Sequence, residues 1–416
     1  MFRRCFLHYD IATDKATEKE IDITVPTTEL DRFIEIEIER MRKDLAIKGF
    51  RKGKVPKSLI KTRYHDSLKA QAMNDLVTES FLKVLAEKKW RPASQAEMKD
   101  LEEDKDIKFR LRFEVIPDFE ITDYIGVEVF QEEPLPDDFL LEQATKELRE
   151  QYAKIKETDR PAAVDDFVTM DIRISENDQV KEDKKDVVVH IGNRDLPDEI
   201  NKALVGVKKE DKKQTPVDKL LYDMYIKKIE EKILPNIDDD FAKLQNFEGL
   251  EQLREKLLEN AKKIEDKRLE DAAKETLSNV LLERNQFEVP NTLIDSEYRT
   301  ILQRSNLQDS EANKERFWKP AENRARLDLI INKIAHKENI KVEEKETMNL
   351  IKAMGIKLSD ENRNDVISYL GNVLVKEKTI DFLYKHVKIS KKSRIISPKE
   401  DINDTRSLRN RANRPR

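Results

Sequence analysis

Glycine fills only 8 of the 416 positions, and that scarcity limits the fold more than any other feature. Doubly wound nucleotide-binding sheets and β-propellers need glycine at tight turns and where backbone meets phosphate, so both are excluded. The chain is 40% charged and 38% hydrophobic, against a usual charged share of about 25%. That balance supplies several small cores but not one large one. It predicts an elongated, helix-rich, multidomain chain of α+β class.

Cys5 is the only cysteine, which rules out an internal disulfide or a thiolate metal cluster and suits a reducing compartment. No apolar run approaches the roughly 18 residues of a membrane span. Arg3 and Arg4 are followed by interrupted polar sequence rather than a signal-type apolar stretch. A cytoplasmic location with no membrane partner is expected. The net charge of −5 hides an asymmetry: residues 40–64 hold ten Lys/Arg and only Asp44, and residues 391–416 hold nine Lys/Arg against three Asp/Glu. An acidic body with one basic island and a basic tail meets a polyanion at one place rather than all over.

Hydrophobic periodicity places the elements. Ile21, Ile23 and Val25 alternate as a strand that Pro26 ends, and Thr27 or Thr28 is the expected helix cap. Leu30, Ile34, Ile38, Met41 and Leu45 then form one helical stripe to about Lys48. Pro56 opens the next helix, and Met73, Val77, Phe81 and Val84 mark another. Ile107, Phe109, Leu111, Phe113 and Val115 alternate with charged residues as a half-exposed strand. An extended piece near 126–131, a helix over 137–157, and strands over 166–174 and 187–191 follow. Long helices begin near 236, with Leu250, Leu253, Leu257, Ala261 and Ile264 on one stripe and a break at Val289-Pro290. Further helices are expected over 314–337, 343–354, 360–372 and 374–386, then a disordered basic tail.

Catalytic signatures are missing. His8, His65, His190, His336 and His386 do not pair at metal-ligand spacing. Phosphate-loop, dinucleotide and nucleophile-elbow motifs are absent from the sequence. No catalytic residue, metal or cofactor is expected. Cys5 with His8 near the terminus reads as coincidence.

The loop between the first two helices, 49–56, is different. Phe50 lies beside Gly49 and near Gly53, with Arg51, Lys52 and Lys54 around it. A hydrophobic anchor in a cationic collar can enter an apolar crevice or stack on a base, while Arg forks onto phosphate or carboxylate. The residues alone equally allow a solvated loop with Phe50 folded back on its helices.

Gly49-Phe50-Arg51-Lys52-Gly53-Lys54-Val55-Pro56 resembles the ribosome-docking signature of the bacterial trigger factor family. Further matches keep the family's order: Phe113-Glu114-Val115 with Pro117, Ile125 to Val129, Leu234-Pro235 with Asp238 to Phe241, and Val289-Pro290 with Leu293-Ile294 and Glu297. Leu329, Ile334-Ala335, Glu338, Ile340 and Val342 complete them, so the likeness covers about residues 15–388. The resemblance implies an ATP-independent chaperone that binds the ribosome at its tunnel exit and holds nascent and unfolded polypeptides. It implies Phe50, Arg51 and Lys52 as central contacts with a ribosomal protein and RNA. Gly49, Gly53, Lys54 and Pro56 would shape or supplement the tip, and Arg42, Lys43, Lys57 and Lys61 would face RNA phosphates. It also implies a weak homodimer off the ribosome.

The domains implied are 1–117 for ribosome binding, 118–151 as an arm joined to a helical chaperone part at 233–390, a middle domain at 152–232, and the tail at 391–416. The family's middle domain is similar to FK506-binding proteins, which are peptidyl-prolyl isomerases (rotamases) with an aromatic pocket. Asp166 to Asp171 keeps the first strand of that frame. The pocket itself reads as degenerate: Asp171 is followed by Ile172, and Ile200 stands where an aromatic belongs. Lys181 to Asp186 replaces a glycine-rich bulge, and the flap over 213–222 is short. Tyr222 and Tyr225 read as packing residues. Isomerase activity is therefore expected to be lost or weak; an active isomerase or a ribosome-independent holdase are the alternatives.

Overall fold

The computed structural model describes residues 7–48, 50–177, 179–193, 195–359 and 362–392. Cys5, Gly49 and the tail from residue 393 onward lie outside the described residues. The chain forms two compact units, one from residues 7–130 with 273–390 and one from 131–272 with 391–392.

The first unit opens with strands β1 (His8–Asp14) and β2 (Glu18–Pro26), helices α1 (Thr27–Asp44), α2 (Lys57–Arg63) and α3 (His65–Lys88), and strands β3 (Arg91–Pro92), β4 (Glu97–Glu103) and β5 (Asp106–Ile116). The sheet order is β1-β2-β5-β3, with β4 also on β5. Alternation sets the register: Ile21 faces Leu111 and Ile23 faces Phe109 across the antiparallel β2–β5 pair. This inner face packs on Leu30 and Phe33 of α1 and on Ala72, Met73 and Leu76 of α3. The outer face carries ion pairs, with the Arg110 fork donating to Asp22 at 2.7 and 2.9 Å.

Two local expectations fail here. Neither threonine caps α1: Pro26 precedes the helix without a side-chain cap, and Thr27 Oγ1 instead donates to the Lys105 carbonyl at 2.6 Å. The helix also stops at Asp44 rather than Lys48, because Leu45 turns extended (φ −69°, ψ 127°) and joins the core under the next loop.

Past β5, Phe119, Ile121, Tyr124, Val127 and Val129 lie in a core with late helices, and β6 (Glu128–Glu132) forms. In the second unit, α4 (Asp137–Gln151) is shorter than expected. The chain leaves it at Tyr152 and becomes β7 (Lys154–Glu157), which pairs with a later strand instead of extending the helix. β8 (Phe167–Glu176), β9 (Gln179–His190), α5 (Asp198–Leu204), β10 (Lys212–Val217) and β11 (Leu220–Ile233) follow. The sheet runs β10-β11-β8-β9, with β7 beside β11. Its inner face (Val168, Met170, Ile226) packs with Ile200 and Leu204 of α5.

The charged run Lys181 to Asp186 lies within edge strand β9. A bulge is nevertheless kept there without glycine. Met170 pairs with Val187 and Ile172 with Lys184, so Lys185 and Asp186 together oppose Asp171. Asp186 takes the left-handed conformation, φ 56°, which Asp tolerates better than most residues.

The helices complete the chain: α6 (Asp239–Leu244), α7 (Leu250–Arg284), α8 (Asn291–Ser305), α9 (Glu311–Lys337), α10 (Glu344–Ala353) and α11 (Arg363–Lys385). The stripe expected on α7 turns away from the core early, since Leu253 is buried but Ile264 is exposed. α11 is one helix where two were expected, because Gly371 stays helical within it. Strand β12 (Lys388–Lys392) pairs with β6, so the first residues of the expected tail are ordered.

Candidate docking tip

The loop after α1 stands on its own small core. Val55 is fully buried with Ile38 of α1, Ile60 of α2 and Leu68 of α3, and Leu45 and Ile47 pack at its edge. Phe50 is not part of it and keeps 42% of its surface exposed. Its N–H donates to the Ile47 carbonyl at 3.0 Å, and the Lys54 N–H donates to the Arg51 carbonyl at 2.9 Å. The second bond closes a four-residue turn with Gly53 third at φ +80°, the position where a type II turn requires glycine. A side chain at Gly53 would meet nothing within 4 Å, so conformation alone selects it. Pro56 ends the loop as the residue before α2, where its carbonyl accepts from the Leu59 and Ile60 N–H groups.

Arg51, Lys52 and Lys54 are all exposed. Lys52 Nζ sits 3.0 Å from Asp44, whereas Arg51 and Lys54 form no ion pair among the described residues. The four flanking cations divide in the same way. Glu39 gathers two of them, Lys57 at 2.5 Å and Arg42 at 3.7 Å. The hydrogen bond from Lys57 holds the Glu39 carboxyl below its ordinary range, and the same bond pushes the Lys57 ammonium up. Lys43 and Lys61 are exposed and form no ion pair among the described residues. Of the site cations expected from sequence, Arg51, Lys54, Lys43 and Lys61 thus form no ion pair among the described residues. Sequence reading missed Val55 and Asp44; the signal for Val55 was a lone β-branched residue inside a polar loop.

The three middle-sheet residues do not share one cavity. Ile200 is 1% exposed and is part of the inner core, with Ile172 packed against that core. Asp171 points to the opposite face of β8. There Lys227 lies 2.7 Å away and the Asp186 N–H donates to it at 3.0 Å; these two hydrogen bonds, that from Lys227 foremost, hold its carboxyl low. Tyr222 packs against the core as expected, but Tyr225 lies on the outer face and is 37% exposed. Among the described residues no group of three His, Cys, Asp or Glu converges as a metal site, and no helix is long and apolar enough to cross a membrane.

Comparison with known proteins finds a match toward each end of the chain. The family model described as bacterial trigger factor protein matches residues 9–148, and that described as bacterial trigger factor protein C-terminus matches 249–385. The trigger factor of Geotalea daltonii is 29% identical over 361 residues, 79% of this chain and 83% of that one. The trigger factor of Geobacter sulfurreducens is 26% identical over 421 residues, 91% of this chain and 98% of that one. A solved structure, from work on promiscuous substrate recognition by the trigger factor chaperone, aligns at 21% identity and a TM-score of 0.45. It covers 91% of this chain and 99% of its own. With family models matching on both sides of the middle sheet and relatives collinear over most of their length, the chain belongs to the bacterial trigger factor family of ribosome-associated chaperones.

Proposed function

We propose that this chain is a cytoplasmic, ATP-independent chaperone that docks beside the ribosomal tunnel exit through the 49–56 loop and holds nascent polypeptides. The observation that carries the reading is Phe50, 42% exposed at the rim of a turn whose own core is filled by Val55. An exposed aromatic held out by a rigid support and ringed by cations fits a mixed protein and RNA surface. Phe50, Arg51 and Lys52 make the central contacts, Lys54 adds charge, and Gly53 and Pro56 hold the turn. Lys43 and Lys61 are the flanking cations best placed to meet RNA phosphates, since Arg42 and Lys57 already engage Glu39. Residues 1–117 form the docking domain, 118–151 with 233–390 the client-holding helical part, and 152–232 the middle domain.

Cosedimentation with ribosomes tests this. The wild type is expected to pellet at low salt, and the triple variant Phe50→Ala, Arg51→Ala, Lys52→Ala to stay in the supernatant. Equal pelleting of both would assign binding to diffuse charge and sink the loop's role.

In the middle domain isomerase activity is lost or weak. Supporting this, Ile200 has almost its whole surface in core packing and Asp171 is tied to Lys227 on the other face. A tetrapeptide isomerase assay showing rates well above the uncatalysed background would overturn that part. A weak homodimer off the ribosome is expected from the family likeness, and sedimentation velocity over a range of concentrations tests it.

A further inference from the structure

The outer face of the middle sheet, away from α5, carries a groove of about 790 Å³ that none of the roles above uses. Strand register builds it from two cross-strand rows. Lys212 of β10 lies opposite Tyr225 of β11, which lies opposite Asp171 of β8, with the Lys185–Asp186 bulge of β9 beyond. Gln214, Asp223, Arg173 and Asp183 form the second row.

Charge within the groove is unevenly satisfied. Asp171 is bound by Lys227 at 2.7 Å and Asp183 by Arg173 at 3.0 Å. Lys185 and Lys212 form no ion pair among the described residues, although both line the groove; Lys213 lies opposite the buried Met224, on the other face of the sheet. Lys212 lies over the Tyr225 ring, 6.0 Å from its centre. The rims are therefore cationic and the floor offers an exposed aromatic ring.

We propose that this face takes an extended acidic polypeptide segment, with carboxylates at the Lys185 and Lys212 rims and an apolar or aromatic side chain on Tyr225. The proposal rests on the chaperone reading, for which such segments are clients. Lys185 and Lys212 stand three strand spacings apart, about 14 Å at roughly 4.8 Å each, and an extended chain covers that in about four residues. The matching segment carries carboxylates four positions apart. Asp223, which forms no ion pair among the described residues, lies between the rims and repels a continuous phosphate backbone. That favours a peptide with a neutral centre over RNA.

The test is fluorescence anisotropy on the full chain at low salt. One labelled peptide has glutamates four positions apart around a central phenylalanine; a second has lysines in their place. The acidic peptide is expected to bind more tightly. The variant Lys185→Glu with Lys212→Glu is expected to weaken it about tenfold and reverse the preference, as removal and inversion of two exposed charge contacts should do. Tyr225→Ser is expected to weaken both peptides. All these side chains are exposed, and an unchanged melting temperature confirms folding.

Indifference to peptide charge, or to the double lysine variant, would overturn the proposal. If a reduced, carboxymethylated unfolded protein still bound, the chaperone reading would survive that result. Failure of the wild type to bind either peptide or the unfolded protein would bring down both. Tighter binding of single-stranded RNA through the same lysines would overturn it in favour of a nucleic-acid surface.

Discussion

The candidate docking tip and the middle sheet place their apolar side chains in opposite ways. At the tip, Val55 goes down between three helices while Phe50 stays out. In the middle sheet, Ile200 goes down with Met170 and Ile226, and the exposed aromatic, Tyr225, is on the other side of the sheet. The tip uses different residues for support and for contact. A proline pocket uses the same residues for both, because its walls are also the core.

Substitutions can break this contrast. Val55→Asp has the largest expected effect: an unpaired carboxylate among aliphatic side chains costs more than about 3 kcal/mol. Urea unfolding should show that loss together with lost ribosome pelleting. Phe50→Asp should abolish pelleting with the urea midpoint unchanged, which would separate contact from support. Equal destabilisation by both would mean that Phe50 belongs to the core after all. Ile200→Ala comes next, at about 2–5 kcal/mol for a fully buried aliphatic truncation. It is expected to speed amide exchange in β8 and β11 and leave pelleting alone.

Gly53→Ala is a smaller, sharper test. With open space around the position, the penalty is the left-handed backbone alone, about 1 kcal/mol, and Gly53→Asn should recover part of it. Thermal melts and ribosome affinity should fall together for Ala and less for Asn. The smallest expected effect is at Glu37 on α1, which is 7% exposed. Burial, with Asp75 adding to it, holds this carboxyl above its ordinary range against the pull of Arg40. A carboxyl raised in the folded state opposes folding once ionised, so its burden appears as pH rises from the ordinary carboxylate value through the raised one. Glu37→Gln should therefore stabilise the domain at neutral pH, by under about 1 kcal/mol. The gain should vanish when melts are repeated below the ordinary carboxylate range.

The parts of this molecule that sequence makes plain are those where one face is wet and the other dry. β5 is such a strand: Ile107 to Val115 alternate without a break and every apolar member is buried. β4 escapes the same reading because all seven of its residues are exposed, so no alternation marks it. The run Lys181 to Asp186 carries no strand signal for a related reason: as part of an edge strand it faces water, and lysine there blunts unwanted pairing. The end of α1 is hidden because Leu45 fits the helical stripe and is half-buried outside it. At the tip, the cationic collar and the turn glycine are written locally in eight residues. Val55's partners on three helices and Asp44's hold on Lys52 depend on the tertiary fold, and local spacing does not encode them.

That hold on Lys52 bears on selectivity. Asp44 is a competitor tethered to the site it competes for, at a fixed and high effective concentration. An exposed pair of this kind is worth under about 1 kcal/mol. That is little beside a full docking surface, but it is comparable to what one stray phosphate can offer. A partner that engages Phe50 and Arg51 together displaces Asp44 with ease. A passing polyanion that offers charge alone must first outcompete a carboxylate already in place. On the proposed docking role, the tip would discriminate by requiring several contacts at once.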